Sequence, residues 1–366
     1  MRSDLDDSVL DDPSRLSVLD SDGLLHAAAR AGAQVRATVE AARDSELARL
    51  AGATPRALVL ITPPGLGPAV TRLMIALLGR ACPVPVVASD TAPTWLGPLD
   101  VVVAHTDDPG DVELAESIDR ACRYGAGVVL TAPEDGPVAA AAAGRAVLIP
   151  PRVPVPPGFG FARALTGALL TATTLDLLRT DLSALADELD REAERDHVQH
   201  ESFVNPAKTL ALRLADRTPL LWGVDDVAAG VACHAAQMLA THTALVCDIA
   251  DYAQAASRSA LLRAATNASS GQDIFADPDD LDPAQSSPLR VFLLAVRAAA
   301  TDPVRRLAVD SFPAADVLAP SEESTADEAA NAAVLALRFE LAALYLGLAS
   351  GTTGGSSRYA PARSRE

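Results

Sequence analysis

Short apolar runs without strand-like alternation constrain the fold of this chain most strongly. Such runs, rich in valine, recur at 57–61, 84–88, 101–104, 127–131 and 146–149, and helical stretches separate them. Apolar runs of this kind are typical of strands that crossover helices bury on both faces. The first part of the chain is therefore predicted to form a parallel sheet of about five strands.

A second round of the same alternation follows Pro206. Its pattern predicts strands and helices in turn, with strands at 220–223, 243–247, 289–296 and near Val317, and helices at 227–240, 252–264 and 327–348. A polar stretch without periodicity, 266–288, is predicted to be a long exposed loop. The chain is thus predicted to belong to the α/β class, with two sheets formed in succession.

The length of 366 residues fits two domains of ordinary size. The predicted division is an acidic leader at 1–22, a first domain at 23–180 that begins with one long helix over 24–50, a helical linker at 181–204, a second domain at 205–350, and a flexible tail at 351–366. The leader carries seven aspartates and has no basic-then-apolar order, so it is not predicted to be a secretory signal.

Charge and composition exclude several classes of function. A formal net charge of −18 repels nucleic acid and anionic lipid, and the apolar runs are too short to span a bilayer. The four cysteines form no CxxC pair, which argues against a zinc site. We therefore expect a cytoplasmic protein with no metal, no cofactor, no nucleic-acid partner and no membrane contact.

Several local segments are similar to one known family. Trp95-Leu96-Gly97-Pro98-Leu99-Asp100 precedes a valine-rich strand, and Asn205-Pro206-Ala207-Lys208 is followed by Arg217-Thr218-Pro219-Leu220-Leu221-Trp222-Gly223. With Tyr345-Leu346 in the last helix, these segments resemble the bifunctional phosphoglucose/phosphomannose isomerases, which carry tandem sugar-isomerase (SIS) domains. The resemblance implies two three-layer α/β/α domains, each with a mostly parallel sheet of about five strands.

The same resemblance implies a function in carbohydrate metabolism. Members of this family hold a sugar phosphate between the two domains and isomerise hexose 6-phosphates between aldose and ketose forms. That chemistry needs a phosphate cradle, a carboxylate base and an acid that opens the sugar ring. Each of these parts can be sought in the sequence.

The candidate phosphate-binding residues lie in two loops that follow predicted strands. One loop, His105–Asp111, offers Thr106 as its only hydroxyl and also contains three aspartates and a proline, all of which oppose phosphate binding. The other is a turn that contains Gly65 and Gly67, where the backbone can approach a ligand closely. Gly65, Gly67, Thr106 and Lys208 are the candidate ligand-binding residues.

The family's catalytic residues have no counterparts at the corresponding positions. The turn predicted at 237–242 holds no glutamate, the stretch 251–259 holds no histidine, and no lysine follows Lys208. His242 could replace the missing acid or base, although a lone histidine near a helix end is more often a packing residue. His242 is therefore the one catalytic candidate, and the packing interpretation is favoured over it.

Other charged residues allow two interpretations each. His105 with the aspartates that follow it could hold a divalent cation, but an acidic loop that caps a helix starting near Val112 is favoured. Lys208 could bind phosphate or face solvent. Arg152 and Arg163 flank a proline-rich segment and could bind a phosphate, although scattered arginines are usually solvated.

Two functional hypotheses follow, together with one structural hypothesis. The first is an aldose-ketose isomerase that acts on hexose 6-phosphates. The second is a non-catalytic SIS protein that binds a sugar phosphate or related carbohydrate derivative, or regulates a partner protein. The third is a structural homodimer, for which the apolar final helix at 331–348 is the candidate interface.

Overall fold

The computed structural model describes residues 6–270, 289–297, 299–320 and 326–353. The predicted flexible tail from residue 354 onward lies outside the described residues, as does most of the predicted loop, 271–288. Residues 266–270 of that predicted loop instead belong to a helix.

The first sheet contains the five parallel strands that the sequence predicts. They are β1 (Ala57–Ile61), β2 (Val86–Ser89), β3 (Asp100–His105), β4 (Gly127–Thr131) and β5 (Val147–Ile149), in the spatial order β2-β1-β3-β4-β5. β1 pairs with both β2 and β3, with Leu58 opposite Val86 and Val101. The order reverses direction between β1 and β3, which places a topological switch point there.

Helices cover both faces of this sheet. Alternate strand residues, such as Leu58 and Val103, pack with α4 (Gly67–Leu78) and α7 (Phe161–Thr174). Their neighbours, Val59, Val102 and Val128 among them, pack with α5 (Val112–Arg123) and α6 (Gly136–Ala142). Because both faces of the central strands are buried, β1 and the middle of β3 and β4 are apolar without alternation.

The N-terminal segment is more broken than the sequence predicts. The predicted helix over 24–50 divides into α2 (Leu24–Ala29), α3 (Ala31–Asp44) and a 3-10 turn at Leu47–Leu50. The break falls at Arg30, whose ψ of 12° leaves the helical range and whose guanidinium donates to the Pro154 carbonyl at 3.1 Å. Within the acidic leader, α1 (Pro13–Leu19) packs on the core through the fully buried Leu16.

The second sheet has four strands in the described part of the chain, one fewer than expected. They are β6 (Thr218–Gly223), β7 (Asp248–Asp251), β8 (Leu289–Leu294) and β9 (Asp316–Leu318), all parallel and ordered β7-β6-β8-β9. The helices of this half and of the segment before it are α8 (Leu182–Arg195), α9 (Pro206–Leu214), α10 (Asp226–Thr243), α11 (Tyr252–Ser257), α12 (Ser259–Ser270), α13 (Pro303–Ser311) and α14 (Glu328–Ala349).

Two predictions for the second half are wrong in position. The strand predicted at 243–247 is absent, because α10 continues to Thr243 and ends at Ala244 with a left-handed φ of 57°. β7 begins only at Asp248. The helix predicted at 252–264 is interrupted at Arg258, whose ψ of 70° separates α11 from α12.

The last helix, α14, is a core element. It is the one helix in the described residues that is long and apolar enough to cross a membrane, but 89% of its most apolar window is buried inside the protein. It packs against α8, α9 and α10. The suggestion that 331–348 forms a dimer interface is therefore wrong, because this surface is already covered; dimerisation itself stays a prediction.

The two halves meet through α4 and α10. Gly230 of α10 lies so close to α4 that a Cβ atom at this position would be 2.9 Å from the Leu73 Cα. An ion pair from Arg72 to Asp251, at 3.1 Å, joins the same two halves. This close packing brings the end of α10 next to the first sheet.

Candidate functional site

A cleft of about 560 Å³ lies at the switch point of the first sheet. The chain leaves β1 toward α4 on one face of the sheet and leaves β3 toward α5 on the other. The two loops therefore separate at the carboxyl ends of adjacent strands, which is where open α/β sheets bind ligands. The fold itself creates this crevice.

Four segments of the chain form the walls of the cleft, and one of them belongs to the second half of the molecule. They are the loop after β1, the loop after β3, the stretch before α7 and the last turns of α10. The residues are Pro63, Pro64, Gly65, Leu66, Gly67, His105, Thr106, Asp107, Asp108, Pro109, Pro157, Gly158, Phe159, Gln237, Met238, Thr241 and His242.

Four of the five residues that the sequence singled out lie together in this cleft. Gly65, Gly67, Thr106 and His242 all line it, although they come from three separate segments. Lys208 lies elsewhere. Gln237, Thr241 and Phe159 also line the cleft, and sequence reasoning missed them because they come from a helix and a loop that carry no recognisable motif.

The glycine turn after β1 needs its glycines for backbone reasons. Gly65 has a φ of +92° and nothing within 4 Å of its missing side chain, so it leaves open space beside the cleft. At Gly67, the first residue of α4, a Cβ atom would be 2.9 Å from the Thr62 carbonyl carbon. No side chain caps this end of α4, so its first backbone N–H groups are available at the cleft.

The loop after β3 is fixed by its own polar residues. Thr106 Oγ1 accepts from the Asp108 N–H at 3.0 Å, Asp108 Oδ1 accepts from the Gly110 N–H at 2.8 Å, and Asp111 Oδ1 accepts from the Leu114 N–H at 2.9 Å. Asp111 thus caps α5, as the favoured interpretation predicts. No group of three or more possible metal ligands occurs in the described part of the chain.

Asp107 is the most strongly held carboxylate of this loop. It forms an ion pair with Arg163 in the first turn of α7, lies 3.3 Å from His105 Nε2, and accepts weakly from the Gly158 N–H at 3.4 Å. Burial raises the pKa of Asp107, but its interactions with His105 and Arg163 outweigh this and hold the pKa at about 2. Asp107 is therefore a permanent anion at neutral pH.

The start of α7 is built around that carboxylate. Gly160 precedes the helix, and a Cβ atom on it would be 2.6 Å from both carboxylate oxygens of Asp107. Arg163 has a side chain only 7% exposed, so the interpretation as a solvated residue is wrong. Arg152, in contrast, pairs with Asp44 away from the cleft.

His105 has a hydrogen-bond partner at one ring nitrogen and a carboxylate near the other. Its Nδ1 lies 2.8 Å from Thr131 Oγ1, and its Nε2 faces the Asp107 carboxylate without ideal hydrogen-bond geometry. These contacts fix the ring at the end of β3. The histidine therefore helps to position Asp107 more than it offers a free group to a ligand.

His242 lies in the last turn of α10, within the helix, and not in the turn that the sequence predicted at 237–242. It is 8% exposed, and its ring forms no hydrogen bond within the described part of the chain. Burial lowers the pKa of His242 to about 4. The imidazole is therefore neutral at pH 7 and can exchange hydrogen bonds with a bound molecule.

The backbone of His242 is anchored from the C-terminal end of the described chain. Its carbonyl accepts from Thr352 Oγ1 at 2.7 Å and from Thr353 Oγ1 at 2.6 Å. The ring of Phe159 lies 5.7 Å from the imidazole, centroid to centroid. These contacts hold the histidine in one position at the wall of the cleft.

Lys208 has a structural role. It is fully buried, and its Nζ donates to the carbonyls of Val198 at 2.8 Å and His200 at 2.6 Å, with the Tyr345 ring 5.3 Å away. Burial lowers the pKa of this lysine. The interpretation of Lys208 as a solvent-facing residue is wrong, and the structure does not place it at the cleft.

The chemistry available in the cleft favours binding over proton transfer. Asp107 with a pKa of about 2 and His242 with a pKa of about 4 are both weak bases at neutral pH, and efficient general bases have pKa values near the working pH. Thr106, Thr241, Gln237 and Asp108 can exchange hydrogen bonds with hydroxyl groups.

The two-sheet α/β architecture confirms the predicted fold class, and solved structures of proteins named for sugar phosphates share this fold. No protein-family model matches the sequence, and no curated protein does.

Three solved structures illustrate the shared fold. The C-terminal domain of glucosamine-fructose-6-phosphate aminotransferase from Francisella tularensis is 11% identical, with a TM-score of 0.58 over 90% of this chain and 97% of that one. Tagatose-6-phosphate ketose/aldose isomerase from Escherichia coli is 11% identical, with a TM-score of 0.57 over 91% and 93%. A glucose-6-phosphate isomerase like protein from Thermus thermophilus is 19% identical, with a TM-score of 0.51 over 93% and 92%. At identities this low, the structural similarity establishes a shared fold.

Proposed function

We propose that this protein binds a carbohydrate derivative in the cleft at the β1/β3 switch point and does not interconvert aldoses and ketoses. The observation that carries the proposal is the lining of the cleft. It supplies hydroxyl, amide and neutral imidazole groups for a polyhydroxylated ligand, while Asp107 and His242 have pKa values of about 2 and 4.

The neighbours in fold support the class of ligand. Their names refer to sugar phosphates in the case of the aminotransferase domain and the tagatose-6-phosphate isomerase. Those names refer to carbohydrate derivatives, and the polar lining of this cleft suits a ligand of that class. The protein then acts as a sensor or regulator, as in the second hypothesis from the sequence.

The first test is a coupled assay for conversion of fructose 6-phosphate and mannose 6-phosphate by the purified full-length chain. We expect no turnover above the rate of a buffer blank, with an active phosphoglucose isomerase as the positive control. Turnover that the substitution His242→Gln abolishes would contradict the proposal, because it would identify His242 as a working acid or base.

A further inference from the structure

We propose that the ligand of the cleft is an unphosphorylated carbohydrate derivative, because the protein's own Asp107 carboxylate occupies the position where an anionic group of a ligand would be stabilised. This inference rests on the proposed function and narrows its ligand class.

The first support is the charge of the lining. Asp107 and Asp108 both line the cleft, and neither lysine nor arginine occurs among the described lining residues. A phosphate group carries up to two negative charges and is normally bound by basic side chains or by uncapped helix N-termini. In this cleft it would meet two carboxylates and no lysine or arginine side chain.

The second support is the use of Arg163 within the protein. Arg163 contacts Asp107, a lining residue, but the arginine side chain is only 7% exposed and pairs with that aspartate. A Cβ atom on Gly160 would be 3.0 Å from Arg163 Nη2 and 2.6 Å from the Asp107 carboxylate oxygens. The start of α7 therefore already binds an anion, and that anion is the protein's own Asp107 carboxylate.

The uncapped start of α4 remains as a site of partial positive charge. Pro68 in its first turn has no N–H group, which reduces the number of donors there. The partial charge of one helix end amounts to about half an elementary charge. It does not balance the carboxylate of Asp108 together with a phosphate.

The third support comes from the opposite wall. His242 is 8% exposed, neutral at pH 7, and without a hydrogen bond to its ring in the described part of the chain. A neutral imidazole supplies one donor and one acceptor, which matches a sugar hydroxyl. Thr241 and Gln237 on the same helix add further uncharged groups.

The deciding experiment is calorimetric titration of the full-length protein with matched pairs of sugars. The pairs are glucose and glucose 6-phosphate, mannose and mannose 6-phosphate, fructose and fructose 6-phosphate, and glucosamine and glucosamine 6-phosphate. We expect at least one free sugar to bind, and its 6-phosphate to bind at least tenfold more weakly. Asp108→Asn should reduce that difference at least threefold, whereas Asp22→Asn, at an exposed position outside the cleft, should leave it unchanged.

The outcomes separate this inference from the proposed function. A sugar phosphate that binds more tightly than its free sugar would overturn the inference and leave carbohydrate binding intact. Equal changes in the Asp108→Asn and Asp22→Asn variants would also contradict it, since the effect would then be one of global charge. Absence of binding for every pair would contradict the proposed function and this inference with it.

Discussion

Two buried carboxyl groups, Glu192 and Asp196, illustrate how single residues are constrained in this fold. Arg338 Nε donates to Glu192 Oε1 at 2.5 Å, and Asp196 Oδ1 accepts from the Ala207 N–H at 2.8 Å. Their other oxygens, Glu192 Oε2 and Asp196 Oδ2, are buried and have no hydrogen bond within the described residues. A proton that Asp196 retains and shares with the neighbouring Glu192 accounts for the unpaired oxygen of Asp196.

This pair predicts a pH dependence of stability. Burial, and then the neighbouring Glu192, raise the pKa of Asp196 to about 8. The folded protein therefore keeps a proton that the unfolded chain releases near pH 4, so stability falls as pH rises between about 4 and 8. The slope from one such group is at most about 1.4 kcal/mol per pH unit.

Asp196→Asn should remove this pH dependence, because the amide replaces the shared proton with a permanent donor. Urea unfolding between pH 5 and 8 should give a flatter stability profile for the variant than for the native protein. Asp187→Asn on the exposed side of α8 is the matched control and should keep the native profile. Parallel profiles for native protein and Asp196→Asn would refute the shared proton.

At the scale of elements, α7 depends on contacts from a loop that lies far from it in sequence. Asp107 and Arg163 are 56 residues apart, and Gly160 provides the space in which their ion pair forms. The helix in turn packs on β3 and β4 beneath the cleft. The start of α7 and one wall of the cleft are therefore a single packed unit.

Gly160→Ala should disturb that unit. Its Cβ would overlap the Asp107 carboxylate, and overpacking of this kind typically costs about 1–3 kcal/mol. Thermal unfolding should show a lower Tm than for Gly97→Ala, a control position with nothing within 4 Å of the added methyl group. Equal Tm values for the two variants would mean that Asp107 is not held where the structure places it.

The elements also show what the sequence could and could not predict. Strands such as 57–61 and 127–131 were predicted with correct bounds, because burial on both faces produces uniform apolar runs. β7 was missed since its sequence, Asp-Ile-Ala-Asp, has polar ends: Asp248 accepts from Trp222 Nε1 at 2.9 Å and pairs with Arg258. The burial of Lys208 could not be predicted from its own helix, because its carbonyl partners come from the segment before that helix.

For the whole molecule, the cleft is a product of both halves. The glycine turn and the acidic loop belong to the first sheet, and His242, Thr241 and Gln237 come from α10 of the second half. The sequence identified Gly65, Gly67, Thr106 and His242 one by one, but it could not show that they share a cleft, because the packing of α10 on α4 decides this. The pairing of Asp107 with Arg163 could not be predicted either, because the packing of α7 on β3 brings these two residues together.

The measurement that tests this account most directly is carbohydrate titration of a variant in which the cleft is filled. Thr241 is exposed on α10, and its hydroxyl bonds only to Gln237 of its own helix in the described part of the chain. Thr241→Trp should therefore fold normally and fill the cleft. Thr173→Trp, at an exposed threonine in the last turn of α7 and outside the cleft, is the matched control.

We predict that Thr241→Trp weakens binding of the best sugar at least tenfold while Thr173→Trp retains native affinity, with both variants close to the native Tm. Native affinity in Thr241→Trp would contradict the central claim, because it would place the carbohydrate outside the cleft at the β1/β3 switch point.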